Sequence, residues 1–125
     1  MRFLSVFAAG LAIVTSTLAV DCQGVTFTDA DVDSCVAELC NWDAGKGPGG
    51  YPHKFNNREG LNLGAYNGNQ DIYEYPLFAG SVYTKGSPGA DRCIAHFDPN
   101  TWKCTKVGAM THRNAPQRNG FVLCT

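Results

Sequence analysis

Six cysteines in a chain of 125 residues restrict its fold more than any other feature. The number is even, no Cys-x-x-Cys pair occurs, and so many thiols in so short a chain point to a disulfide framework in an oxidising compartment. The count alone leaves the pairing open. The N-terminus points the same way: Met1-Arg2 is a minimal positive start, and Phe3 to Val14 is almost unbroken apolar sequence before Thr15, Ser16 and Thr17. That run is too short for a bilayer-spanning helix, which needs about 20 apolar residues, and the small residues Thr17 and Ala19 suit cleavage. Residues 1–19 therefore read as a secretory signal peptide, leaving one domain over residues 20–125.

In that domain, Thr28-Asp29-Ala30-Asp31 followed by Val32, Val36, Leu39 and Cys40 has the pattern of an amphipathic helix of about three turns. Thr28 or Asp29 would cap it, with acids in its first turn. Gly45-Lys46-Gly47-Pro48-Gly49-Gly50 reads as a loop; it lacks the Gly-Lys-Ser/Thr ending and the preceding strand of a phosphate loop. Beyond Gly50 the period changes to two. Short strands are expected at 51–57, 72–77, 91–97, 106–112 and 121–124, with a loop over 64–70. A single helix packed on a twisted antiparallel sheet is an α+β fold. Alternation places Arg92, Ile94 and His96 on one face and Cys93, Ala95 and Phe97 on the other, under the helix. It likewise groups Gly108, Met110 and His112 against Val107, Ala109 and Thr111.

Loss of residues 1–19 removes Arg2 and no acid, leaving 9 basic against 11 acidic residues and a net charge of −2. Such a chain cannot hold a polyanion by overall positive charge; any such ligand must meet a focused site. The three histidines, at 53, 96 and 112, are too scattered for a metal-ligand motif, and disulfides would consume the thiols, so neither metal nor cofactor is expected. No nucleophile elbow is present. What remains is acid–base chemistry by His and Glu. His53, Glu74, Arg92 and His112, with Tyr51, could together offer an acid, a base and cations on one sheet face. Cleavage of a phosphodiester by an internal 2′-hydroxyl needs such a set. Taken singly, each of these residues has a plainer reading as a solvated or hydrogen-bonded surface group.

Five strings select among these readings. They are Tyr51-Pro52-His53-Lys54-Phe55-Asn56-Asn57-Arg58-Glu59-Gly60, Tyr73-Glu74-Tyr75-Pro76, Gly86-Ser87-Pro88-Gly89-Ala90-Asp91-Arg92, Thr111-His112, and Asn119-Gly120-Phe121-Val122-Leu123-Cys124. In order and spacing they resemble the fungal guanyl-specific ribonucleases of the T-one type, within the microbial ribonuclease superfamily, through nearly the whole mature chain. The resemblance implies that Glu74 is the general base on the 2′-hydroxyl and His112 the general acid for the leaving 5′-oxygen. His53 would assist Glu74, Arg92 and Tyr51 would hold phosphate oxygens, and Phe121 would form an apolar wall. Guanine would be read by the segment Phe55, Asn56, Asn57 and Arg58, by the Glu59 carboxylate, and by Asn119. A carboxylate facing two donors of guanine makes a contact that adenine cannot reproduce.

The family pattern also implies a Cys22–Cys124 bridge between the chain ends and a Cys40–Cys104 bridge, which leaves Cys35 and Cys93 for each other. Phe55 and Arg58 stand where relatives often carry tyrosines; the Arg58 guanidinium could stack on the bound base in place of a lid. The loop 113–118 is one residue longer than the common form, and the long basic loops of ribotoxins are absent. His96 has no catalytic counterpart and reads as a surface histidine. The expectation is a secreted, extracellular, monomeric endoribonuclease acting on single-stranded RNA. It would not act on DNA, which lacks the 2′-hydroxyl, and would have no membrane association once its signal is removed. The alternative is a ribonuclease-like effector or toxin acting on RNA in a target cell.

Overall fold

In a computed structural model, residues 18–125 are described. The expected signal segment lies, up to residue 17, outside the described residues. The chain opens with a hairpin, β1 (Ala19–Cys22) and β2 (Val25–Thr28). Gln23 and Gly24 turn it, with φ of 57° and 99°, the left-handed pair that suits a two-residue hairpin. Thr28 then caps α1 (Asp29–Leu39): its hydroxyl accepts from Asp31 N at 3.0 Å, and Asp31 Oδ2 accepts from Thr28 N at 3.0 Å. This reciprocal box satisfies two otherwise orphaned donors. The other Asp31 oxygen accepts from Gly80 N, and that bond above all holds the carboxyl below its ordinary pKa.

The main sheet is antiparallel, in the order β3 (His53–Lys54), β4 (Ile72–Phe78), β6 (Asp91–Phe97), β7 (Cys104–Thr111), β8 (Val122–Leu123). A short β5 (Ser81–Val82) pairs with β4. Helix α1 covers one face, burying Val32, Cys35, Val36 and Leu39 against Tyr75, Leu77, Cys93, Ala95 and Ala109. A second apolar cluster on the opposite face contains Phe55, Leu63, Ile72, Ile94, Met110 and Phe121. The expected α+β plan and the alternation along β6 are both found.

Three local expectations are corrected. The strand expected over 51–57 shrinks to His53–Lys54, because Pro52 has no N–H for the ladder and Asn57 turns left-handed at φ 53°. The last strand shortens to Val122–Leu123. Along β7, Ile94 pairs with Gly108 but Ala95 with Lys106, so Val107 is the extra residue of a bulge. Val107 therefore packs with the second cluster and not, as alternation implies, beside Ala109. Lys106 turns instead to α1, pairing with Asp29 at 2.9 Å and Asp33 at 2.7 Å.

The bridges are Cys22–Cys124, Cys35–Cys93 and Cys40–Cys104, closing separations of 102, 58 and 64 residues. Loops of such length lose much unfolded-state freedom when closed, a contribution of about 2 to 4 kcal/mol per bridge. At the termini, Asp21 and Thr125 exchange two backbone hydrogen bonds beside Cys22–Cys124. A cleft of about 320 Å³ on the helix side, walled by Leu39, Trp42, Tyr73, Phe97 and Trp102, holds none of the residues expected to act on substrate.

Candidate active site

The sheet register assembles the centre. His53 on β3 pairs with Glu74 on β4, and Glu74 with Ile94 on β6, so the expected base and its assistant stand side by side on one rung. Arg92 lies two residues from Ile94 on the same strand, diagonal to Glu74, and its Nε donates to Glu74 Oε1 at 3.0 Å. The guanidinium is almost fully spent. Nη1 donates to the carbonyls of Pro88, Gly89 and Asp91, and Nη2 donates to the Tyr51 hydroxyl at 3.0 Å. Of the five N–H groups of an arginine, one on Nη2 is left for an incoming anion. Tyr51 is an acceptor in that bond, so its own O–H remains free to donate. Burial raises its pKa, which keeps the hydroxyl protonated.

Glu74 and Arg92 are 8% and 4% exposed. Burial pushes the Glu74 carboxyl up to about 7, against the opposing pull of the Arg92 guanidinium. A carboxylate paired with a cation is ordinarily acidic; here desolvation prevails. The group is thus poised to exchange a proton near neutrality, as general bases require. The exposed His53 lies flat on Tyr51, ring centroids 3.8 Å apart, and the covering of that face, with Arg92's charge second, lowers its pKa.

His112 follows the end of β7, its N–H bonded to Ala90 O. Its ring stacks on Phe121 at 3.9 Å, and its Nδ1 lies 2.7 Å from Gly120 O. A carbonyl can only accept, so Nδ1 carries a hydrogen and Nε2 is the atom that gains or releases a proton. The neighbouring Arg113 grips buried Asp91 by Nε and Nη2 at 3.3 and 3.0 Å, fixing the turn beyond His112. Neither this grip nor Gly120 O carried a sequence signal: the one depends on tertiary pairing, the other on backbone.

Phe121 also forms part of a second feature, an open cleft of about 430 Å³ between two loop walls. One wall is 55–59, the other 117–121, and the Glu59 Oε2 accepts Phe121 N at 2.7 Å where they meet. Glu59 keeps Oε1 for a ligand. Phe55 is buried edge-on to Phe121, so it supports the cleft from beneath. The Asn57 side chain is committed to Leu61 N and O at 2.7 and 2.9 Å, which leaves only its backbone for recognition. Asn56, Arg58 and Asn119 are exposed along the cleft, Asn119 at φ 61°. All twelve residues expected to act on substrate thus fall within these two adjoining features. His96 stays apart, half-buried beside Tyr66 at 4.8 Å.

Along most of its length the chain is similar to known proteins. A family model described as ribonuclease matches residues 15–125. Guanyl-specific ribonuclease Th1 of Trichoderma harzianum is 36% identical over 107 residues, 82% of this chain and 93% of the relative. Extracellular guanyl-specific ribonuclease Fl1 of Gibberella baccata is 37% identical, covering 83% of this chain and 93% of the relative. Guanyl-specific ribonuclease U1 of Ustilago sphaerogena is also 37% identical, over 86% of this chain and 96% of the relative. Among solved structures, a ribonuclease from Hericium erinaceus matches with a TM-score of 0.54 and 27% identity, covering 86% of this chain and 99% of that one.

Proposed function

We propose, from the premise that this chain belongs to the ribonuclease family and cleaves RNA, that it is a secreted, metal-independent endoribonuclease cutting single-stranded RNA 3′ of guanosine. The observation carrying this reading is a buried Glu74, poised near pH 7, on the sheet whose strand β7 leads into a histidine with its Nε2 left free by Gly120 O. The cleft containing Glu59 adjoins them through Phe121.

Glu74 takes the proton of the 2′-hydroxyl, and the oxygen attacks phosphorus. His112 in its charged form gives its Nε2 proton to the departing 5′-oxygen and remains neutral, with Nδ1–H still on Gly120 O. The free N–H of Arg92 and the Tyr51 O–H face the charge that develops on the phosphate oxygens. His53 lies beside the base. The first product is a 2′,3′-cyclic phosphate; with roles reversed, water opens it slowly to a 3′-phosphate. Side chains supply the acid, the base and the cation, so no metal is assigned a role. Guanine presents its N1 and amino hydrogens to Glu59 Oε1 and is flanked by Asn56, Arg58 and Asn119. The protein acts as a monomer, and DNA, without the 2′-hydroxyl, is not cut.

Incubating the dinucleotide GpC with the oxidised protein tests the reading. Guanosine 2′,3′-cyclic phosphate and free cytidine are expected, with ApC cleaved far more slowly. Intact GpC would overturn it and favour the alternative of an effector that binds RNA or a partner without cutting.

A further inference from the structure

The four arginines of the described chain divide into two kinds. Arg92 and Arg113 are ion-paired to carboxylates, Glu74 and Asp91, within the sheet. Arg58 and Arg118 are exposed, form no ion pair among the described residues, and line the same cleft. They stand one on each wall, each immediately before a base-reading residue, Glu59 and Asn119 respectively. Among the described residues the one carboxylate lining the cleft, that of Glu59, accepts from Phe121 N. In a chain with more acids than bases, two guanidiniums without an ion pair among the described residues line one cleft.

We propose that Arg118, with Arg58 opposite, forms a binding site for the phosphate on the 5′ side of the recognised guanosine. The inference rests on the base occupying this cleft. With the base there and the scissile 3′-phosphate at Arg92 and Tyr51, the 5′-phosphate is the remaining anion of that nucleotide. It lies at the rim, and a planar guanidinium presents a two-pronged donor set suited to it. Arg118 thereby extends recognition from a base to a chain, favouring internal guanosines over those at a 5′ end. Being exposed, the contact is modest and sensitive to ionic strength.

The test compares GpC with its 5′-phosphorylated form, pGpC, and with ApGpC. For the wild type, KM is expected to be about 3- to 10-fold lower for pGpC and ApGpC than for GpC, with kcat unchanged, and the advantage should shrink as salt is raised. Arg118→Gln should abolish the advantage while leaving GpC kinetics unchanged, and Arg118→Lys should retain part of it. Equal KM for GpC and pGpC in the wild type would overturn the proposal. So would an Arg118→Gln loss shared equally by GpC and pGpC, which would put the side chain on the base or the scissile group. Failure of the base reading shows separately, as equal cleavage of GpC and ApC, which leaves the pGpC-to-GpC comparison readable.

Discussion

The proposed catalytic centre and the proposed base cleft adjoin at Phe121 yet are built on opposite principles. At the centre, strand register fixes each group: His53, Glu74 and Arg92 sit on adjacent strands, and nearly every donor of Arg92 is occupied. The cleft is made of loop walls held by a single carboxylate bond and by left-handed Asn57 and Asn119, with unpaired arginines at its rim. A preorganised, desolvated centre makes charged groups effective and costs little reorganisation. Open loop walls allow side chains such as Arg58 to change without disturbing the sheet. On the proposed function chemistry and selectivity are separable, and substitutions should divide accordingly.

The largest effects belong to the centre. Glu74→Gln and His112→Ala should each lower kcat by about 10² to 10⁴-fold with unchanged circular dichroism. Activity within a few-fold of wild type in both would dissolve the distinction. Next in size, Glu59→Gln should reduce the preference for GpC over ApC by about 10- to 100-fold, because it removes the acceptor for two guanine donors. Cleavage of ApC should hardly change, and an equal fall for both dinucleotides would tie the cleft to the chemistry.

The pH dependence sharpens the contrast. With Glu74 near 7 in the folded protein, kcat/KM should rise about tenfold per unit on the acid side of roughly pH 7. The residual activity of Glu74→Gln should lack that limb. Stability gives a smaller effect of opposite sign. The folded pKa of Glu74 is above the ordinary 4.5, so the native state binds more protons than the unfolded chain between 4.5 and about 7. Stability from this group is present below pH 4.5 and is lost as pH rises through 7. Glu74→Gln, which resembles the protonated acid, should accordingly melt higher than wild type at pH 8 and alongside it at pH 4. A lower melting temperature at pH 8 would show that the carboxylate stabilises the fold rather than straining it.

The sequence revealed elements whose signals are local. Thr28 and Asp31 mark a helix start three residues apart, and the 91–97 strand alternates cleanly between two apolar clusters. The N-terminal hairpin was not legible, since its turn uses Gln23-Gly24 in place of the usual Asn-Gly or Asp-Gly. Nor was the Val107 bulge, which reflects how β7 must bend against β6 rather than any residue preference. The candidate site residues stood out only as long strings resembling a family, because Glu74 or His112 alone has no pattern. What tunes them arises from tertiary contact: the Arg92–Glu74 bond, the Gly120 carbonyl at His112, and the commitment of the Asn57 side chain to Leu61.

The central claim, that one sheet face cuts RNA where the adjoining cleft holds guanine, is tested most directly by mass spectrometry of a single-stranded RNA containing one guanosine. The RNA would be treated with oxidised protein in excess chelator, beside Glu74→Gln. The account predicts one cut, 3′ of that guanosine, ending in a 2′,3′-cyclic phosphate and nearly absent in the variant. Intact RNA, or cleavage that persists undiminished in Glu74→Gln, would contradict it.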